Sequence, residues 1–163
     1  RSRNSYDEKV KSNPLFKGVK VITADVPPTM PFTKPATQDL VVTFRNLHNW
    51  LGQDAMKAVM QEAYNSLKEG GHFGVVEHRA PEGSDLEFMK KSGYVTQSLA
   101  IKTAEEVGFK LVASSEINAN PKDTADHPRG VWTLPPSFRL KDQDRAKYAA
   151  IGESDRMTLL FKK

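Results

Sequence analysis

Cysteine is absent from the 163 residues of the chain, which excludes disulfide bonds, thiolate zinc sites, iron–sulfur clusters and cysteine nucleophiles. No apolar run approaches the ~18 residues of a membrane-spanning helix, and the sequence contains neither low-complexity tracts nor repeats of solenoid period. The composition, 38% hydrophobic and 27% charged residues, is that of an ordinary globular chain. We therefore expect a globular domain with no membrane association.

The sequence also lacks any long stretch in which all charges have the same sign. The chain carries 24 Lys+Arg against 20 Asp+Glu, a net charge of +4, and the two signs alternate locally, as in residues 141–145 (KDQDR). A nucleic-acid interface favours a stripe of one sign with interleaved aromatic residues. No nucleic-acid partner is expected.

Short β-branched runs alternate with helical stretches along the chain. Strands are predicted at residues 19–23, 40–44, 73–77, 109–113 and 157–161, and helices at 55–67, 94–107 and 143–151. The run at 40–44 is almost continuously apolar, which is typical of a central strand covered on both faces. Alternation of strands and helices predicts parallel pairing with right-handed crossovers, and hence a three-layer α/β sheet.

The chain as a whole, residues 1–163, is expected to form a single domain that begins with a polar N-terminal segment at 1–18.

Proline is concentrated in one internal segment. Residues 118–137 contain Pro121, Pro128, Pro135 and Pro136, which disfavour both helix and sheet. We predict a long loop here, acting as a lid or binding loop or else as an irregular ordered connection.

Polar clusters follow three of the predicted strands, at residues 24–25, 45–50 and 77–79. Carboxyl ends of parallel strands meet at one edge of a sheet, where ligands bind in open α/β folds. We therefore expect these clusters to form a functional site. Helix capping and surface ion pairing are the alternative interpretation.

Four side chains are candidate metal ligands: His48, Glu77, His78 and His127. Their spacing matches no His-Glu-x-x-His helix or other diagnostic metal motif. No metal is expected on this evidence, and a metal-dependent hydrolase stays open as an alternative function. His127 is equally consistent with a lid residue or a loop staple.

Three segments resemble successive elements of a known protein fold. Residues 21–25 (VITAD), followed by Pro31-Phe32, resemble a third strand with an acidic residue on the adenine side of a cofactor. Residues 38–44 (QDLVVTF) resemble a fourth strand, and residues 63–73 (AYNSLKEGGHF) resemble a helix and an "LKPGG" turn before strand five. The family is that of the class I S-adenosylmethionine-dependent methyltransferases. The resemblance implies a Rossmann-like sheet with a C-terminal strand pair, and methyl transfer to an unknown acceptor.

A narrower resemblance lies in residues 44–50 (FRNLHNW), 126–132 (DHPRGVW) and 151–157 (IGESDRM). These segments are similar to a bacterial group of predicted methyltransferases whose acceptor is not established. Members of the group often look exported, so the resemblance implies an exported or periplasmic protein, with the cytoplasm as the alternative.

The chemistry of methyl transfer assigns roles to the predicted site residues. His48 is the first candidate for a base that removes a proton from the acceptor, because imidazole ionises near neutral pH. Glu77 and His78 are the second candidates. The cofactor-binding candidates are Asp25, Phe44, Arg45 and Asn46, and the substrate-binding candidates are Trp50, Arg79, His127 and Trp132. Core packing is an equal alternative for Trp50.

One part of the family pattern is missing. Class I enzymes begin with a strand that enters a glycine-rich turn, followed by a strand that ends in an acid for the ribose. Neither precedes residue 19, so we expect the chain to be the C-terminal portion of the fold and to be inactive alone. The exposed strand edge would be covered by a missing N-terminal segment or a second copy. A non-enzymatic remnant that serves as a binding or structural module is the alternative.

Overall fold

The computed structural model describes residues 2–163, which form an α/β fold around an open five-stranded sheet. The strands are β1 (Gln38–Phe44), β2 (Leu67–Ala80), β3 (Val95–Thr96), β4 (Lys110–Ser115), β5 (Pro128–Val131) and β6 (Arg156–Lys162). The helices are α1 (Ser2–Ser12), α2 (Leu47–Gly52), α3 (Met56–Ser66), α4 (Leu86–Ser92), α5 (Gln97–Val107) and α6 (Arg145–Ile151). Within residues 2–163, none of these helices is long and apolar enough to cross a membrane.

The order of the paired strands is β1-β2-β6-β4, and β3 pairs with the end of β2. As predicted, β1 and β2 are parallel, with Val42 opposite Gly74. The expected parallel pairing is wrong for β6, which runs antiparallel to both β2 and β4. The reason is that the chain after β4 passes through the long loop and α6 and enters β6 at the edge where β2 ends, with His78 opposite Arg156.

The hydrophobic core lies on one face of the sheet. Phe73 and Val75 of β2, together with Met157, Leu159 and Phe161 of β6, are at most 2% exposed. This face packs against α3 and α5, and burial of such side chains contributes about 25 cal/mol per Å² of apolar surface. The opposite face is less covered, because alternate residues of β2 and β6 are only half-buried. Helical cover on both faces, expected for three layers, is therefore incomplete.

The α3 helix forms where the apolar stripe predicts it. Val59, Met60 and Ala63 are buried along one side, as expected for a helix with one apolar face. The helix ends at Ser66 and not at the glycine pair, because Leu67 is already extended (φ −77°, ψ 141°) and begins β2.

The predicted strand at residues 19–23 is wrong. This segment has no regular secondary structure, and its apolar side chains are exposed, with Val21 at 45% and Ile22 at 62%. A strand forms only where a neighbour satisfies its backbone groups, and none of the described strands lies beside this one.

The apolar run at 40–44 does form a strand, β1, but at the edge of the sheet instead of its centre. Leu40, Val42 and Phe44 are 51–59% exposed. Among residues 2–163, no strand pairs with the second edge of β1.

The predicted helix at 94–107 begins later than expected. Val95 and Thr96 are extended beside β2, and the Thr96 side chain accepts from the Leu99 N–H at the start of α5. Gly108 ends the helix at φ +117°, where a left-handed residue favours glycine.

The long loop at 118–137 contains β5 and a series of turns, and the predicted helix at 143–151 forms as α6. The loop lies against the end of α4 at Gly130. A Cβ atom at this position would lie 2.1 Å from the Ser92 carbonyl oxygen, and φ is +55°. Glycine thus permits a backbone approach that fixes the loop beside the sheet edge.

Candidate functional site

A cavity of about 230 Å³ lies at the edge where β1 and β2 end. Because β6 is antiparallel, its first residues lie at this same edge. The loop at 118–137 supplies the remaining wall. The lining residues are Phe44, Arg45, His48, His78, Val131, Trp132, Pro135, Pro136, Ser137, Glu153, Ser154 and Arg156.

Glu77 organises the floor of this site. Its side chain is fully buried, and Oε1 accepts a hydrogen bond from the His78 N–H at 2.8 Å. The same oxygen lies 3.0 Å from His48 Nδ1, while Oε2 accepts from the His48 N–H at 3.2 Å. Both Glu77 oxygens accept a backbone N–H, as an acceptor-only carboxylate does, and Nδ1 of His48 is therefore the donor. That tautomer leaves Nε2 of His48 as the proton acceptor.

His78 occupies the neighbouring position and is held as a neutral imidazole. Its Nδ1 lies 2.6 Å from Ser154 Oγ, and its ring centroid is 5.4 Å from that of His48. Burial lowers the pKa of His78 to about 3, with further lowering by His48, Arg45 and Arg156. His78 is therefore uncharged at neutral pH and acts as a hydrogen-bonding group.

The structure brings together three of the four candidate metal ligands. Ligand atoms of His48, Glu77 and His78 lie within 4.8 Å of one another. Both Glu77 oxygens already accept hydrogen bonds, and His78 pairs with Ser154. The guanidinium groups that lower the pKa of His78 also create a field that repels cations. This donor set fits a hydrogen-bonded Glu–His pair better than a metal centre.

Two arginines line the cavity, and each has guanidinium N–H groups with no acceptor among the described residues. Arg45 follows β1 at φ +56°, and its N–H bonds the Val76 carbonyl at 2.7 Å, which turns the chain toward the cavity. Its side chain has no hydrogen-bond or ion-pair partner among the described residues. Arg156 Nη2 pairs with Glu153 Oε2 at 2.5 Å, whereas its Nε is buried without a hydrogen-bond partner.

Several predicted site residues lie elsewhere. Asp25 is exposed in the irregular segment before β1, accepts from Thr29 Oγ1 at 2.8 Å and does not line the cavity. Trp50 packs against the core, which agrees with its structural alternative. Asn46 stands at the N-cap position of α2 without a side-chain capping bond, and it does not line the cavity.

Arg79 is engaged in ion pairs and not in the cavity wall. Its Nε donates to Asp155 Oδ2 at 2.9 Å, and its Nη2 donates to Glu116 Oε2 at 2.7 Å. Hydrogen bonds to Glu116 and Asp155 raise the pKa of Arg79. The three residues join the end of β2 to the segments that flank β4 and β6.

His127 belongs to a separate buried cluster around Asp123. His127 Nε2 lies 2.8 Å from Asp123 Oδ1, the Tyr94 hydroxyl donates to Oδ2 at 3.0 Å, and the Asp155 N–H donates to Oδ2 at 2.8 Å. Burial and then the Asp123 charge raise the pKa of Tyr94. The arrangement matches the loop-staple alternative for His127, because it ties the loop at 118–137 to the sheet edge.

Among the lining residues that the sequence did not predict individually, Glu153, Ser154 and Arg156 lie together at the start of β6. They come before the apolar run of this strand, whereas the predicted polar clusters all follow a strand. The sequence signal that points to them is the segment 151–157, which resembles the bacterial group.

No protein-family model and no curated protein sequence matches the chain. Solved structures match it in fold. The [4+2]-cyclase SpnF has a TM-score of 0.62 and 15% identity, over 96% of this chain and 60% of SpnF. A Galdieria sulphuraria protein described as a sarcosine dimethylglycine methyltransferase has a TM-score of 0.63 and 15% identity, over 98% of this chain and 64% of that protein.

An S-adenosylmethionine-dependent methyltransferase of Mesorhizobium loti matches with a TM-score of 0.52 and 14% identity, over 96% of this chain and 77% of that protein. The chain thus has the Rossmann-like α/β fold of class I S-adenosylmethionine-dependent methyltransferases, which confirms the predicted fold class. It spans less than two thirds of the length of SpnF and of the Galdieria protein. The narrower resemblance to a bacterial group stays a prediction.

Proposed function

We propose that this chain is the substrate-side portion of an S-adenosylmethionine-dependent methyltransferase. One observation carries the proposal: a buried Glu–His pair, with Glu77 Oε1 3.0 Å from His48 Nδ1, lies at the ligand-binding edge of a methyltransferase fold. A buried carboxylate that fixes an imidazole tautomer is a recurrent arrangement for a general base.

When bound, S-adenosylmethionine supplies an electrophilic methyl group to an acceptor nucleophile. His48 removes the acceptor proton at Nε2, because Glu77 holds the proton of the ring on Nδ1. Glu77 is thus a positioning residue that also favours the imidazolium formed by this transfer. His78 stays neutral beside it, since burial lowers its pKa to about 3.

The cavity walls contribute orientation of the reactants. Trp132 lies edge-on to His48, with ring centroids 5.9 Å apart, and Pro135 and Pro136 add an apolar rim. A restricted, preorganised site favours an in-line displacement by holding the reactants in line.

The proposed cofactor contacts fit this chain in part. Phe44 and Arg45 line the cavity. Phe44 suits a sulfonium, and the Arg45 guanidinium suits a carboxylate, whether of the cofactor or of the acceptor. Asp25 does not line it, so these residues alone offer few contacts to a cofactor. We therefore propose that the 163-residue chain is inactive by itself and that the acceptor side of the site is what it retains.

The second candidate is a non-enzymatic module. The position of Asp25 outside the cavity favours it. SpnF also shows that this fold supports a different reaction, since it is a cyclase, and fold alone does not determine function. The intact mass of the natural gene product separates the two: extra chain with a glycine-rich turn supports the enzyme.

The decisive experiment follows methyl transfer from labelled S-adenosylmethionine by the natural gene product, with release of S-adenosylhomocysteine as the readout. His48→Gln is expected to lower kcat by about 10²–10⁴-fold without changing cofactor affinity. His72→Gln, in the first half of β2 and outside the cavity lining, is the matched control and keeps full activity. Full activity of His48→Gln contradicts the proposal. A separate elemental analysis tests the hydrolase alternative, which stoichiometric metal in the purified protein would favour.

A further inference from the structure

We infer that the cavity beside His48 is an anion-binding site that holds the carboxylate of a planar acceptor, with Arg156 and Arg45 as its partners. That the bound molecule is a methyl acceptor rests on the proposed function. The presence of an anion site does not, because it follows from the charges and free donors of the cavity itself.

Arg156 provides the first observation. It stands at the start of β6, opposite His78, and its side chain is 20% exposed. Glu153 occupies Nη2, yet Nε is buried with no partner. Buried donors almost always have an acceptor in native proteins. Nη1 of Arg156 has no hydrogen-bond partner among the described residues, and a carboxylate that binds Nη1 from the cavity would draw the guanidinium toward it and give Nε an acceptor as well.

Arg45 provides the second. A non-glycine residue in the left-handed region is energetically unfavourable and is frequent at ligand sites. Here φ is +56°, and the turn sends a guanidinium without partners among residues 2–163 into the cavity wall. Together the two arginines offer a forked set of donors, the geometry that matches a carboxylate.

The remaining charges leave this site positive. Glu153 is the one acidic residue in the lining of this cavity, it is 51% exposed, and it already pairs with Arg156. His78 is neutral, since burial lowers its pKa to about 3. Two guanidinium groups against one carboxylate leave a net charge of +1 among the lining residues. The carboxylate of Glu77 lies beneath the floor, and its oxygens face donors of His48 and His78 instead of the cavity.

The walls favour a flat molecule. Trp132 and Phe44 are aromatic, Pro135 and Pro136 are rigid, and about 230 Å³ of space accommodates a single substituted ring. A ring that carries a carboxylate at one end and a nucleophile at the other would place the carboxylate at the arginines and the nucleophile toward His48. We assign this substrate class to the cavity: planar aromatic acids with a hydroxyl or amino group.

The test uses the 163-residue chain and 4-hydroxybenzoate as the probe, with calorimetry as the readout. Binding is expected, and it should weaken about tenfold or more for 4-hydroxybenzamide, which has the same shape without the charge. Arg156→Gln and Arg45→Gln should each weaken 4-hydroxybenzoate by about tenfold, and Arg156→Lys by less. Arg129→Gln, in a neighbouring cavity, is the matched control and leaves the affinity unchanged.

Nuclear magnetic resonance gives a second readout. The Arg156 Nε–H signal should shift on addition of 4-hydroxybenzoate, and the pKa of His78 should rise because the anion offsets the arginine field. Equal binding of the acid and the amide, or unchanged affinity in both arginine variants, would overturn the inference. Tighter binding of phenyl phosphate than of 4-hydroxybenzoate would overturn the carboxylate assignment.

The outcomes separate this inference from the proposed function. Arginine-dependent binding of 4-hydroxybenzoate with no methyl transfer by the natural gene product keeps the anion site and removes the methyltransferase. Methyl transfer with no arginine-dependent binding does the reverse.

Discussion

Glu77 binds His48 twice, through Nδ1 of the ring at 3.0 Å and through the backbone N–H at 3.2 Å. The two contacts tie the ring and the first turn of α2 to one carboxylate at the end of β2. The orientation of the proposed base is therefore a property of the folded chain, and substitutions of Glu77 test it without any ligand.

Glu77→Gln is expected to destabilise the 163-residue chain by about 1–3 kcal/mol. The amide keeps the shape of the carboxylate, but its NH₂ group faces donors from His48 where acceptors are needed. Urea denaturation measures the loss. Glu153→Gln, half-exposed at the cavity rim, is the control and should stay within about 0.5 kcal/mol of wild type. Equal stability of the two variants would contradict the buried Glu–His pair.

His78 predicts a specific dependence of stability on pH. Its folded pKa is lowered to about 3 from 6.5, so below pH 6.5 the unfolded chain binds a proton that the native chain does not. The free energy of unfolding should therefore fall by about 1.4 kcal/mol per pH unit between 6.5 and about 3 from this group, and be unaffected above that range.

The measurement is urea denaturation of wild type and His78→Gln at several pH values. The difference between them should shrink as the pH falls, because the variant lacks the titrating group. His72→Gln, on the same strand, is the control and should keep the wild-type slope. A wild-type His78 that titrates near 6.5 in the native state would refute the burial argument.

Cofactor affinity tests the proposal that this chain alone is incomplete. The 163-residue chain is expected to bind S-adenosylmethionine more weakly than about 10 μM, equivalent to about 7 kcal/mol. The reason is that residues 2–163 contain no strand that enters a glycine-rich turn, and Asp25 lies outside the cavity. Calorimetric titration decides it, and a one-to-one isotherm tighter than this value would show that Phe44 and Arg45 suffice.

The free edge of β1 predicts self-association. An unpaired strand edge with Leu40, Val42 and Phe44 half-exposed is a template for pairing with another chain, and we propose a second copy as that partner. Light scattering should give about twice the 18.2 kDa of one chain. Val42→Lys should return a monomer because the charge lies on this edge.

The matched control is Val112→Lys on β4, at the other edge of the sheet. It adds the same charge at a site of similar exposure, 49% against 51%, and should leave the dimer intact. A monodisperse wild-type monomer would remove the proposal.

The sequence predicted the strands at 40–44 and 73–77 because both are apolar, β-branched runs and each finds a partner strand in the sheet. It failed at 19–23, where β-branched residues favour a strand but no neighbour is present. The direction of β6 was also missed, since apolar alternation is the same for either direction. The wrong direction of β6 explains why the sequence did not point to Arg156. Because β6 is antiparallel to β2, its first residues lie at the edge with the cavity, and they come before the apolar run and not after it.

The register of β6 has a consequence for how reliably the site assembles. Met157, Leu159 and Phe161 lie in the core, and a slip of one residue would send them to the open face and carry Arg156 into the core. A slip that moves Arg156 out of the cavity wall thus also disrupts the hydrophobic packing of β6. The register of β6 therefore couples the two: a chain whose core has its native packing also has Arg156 in the wall of the cavity.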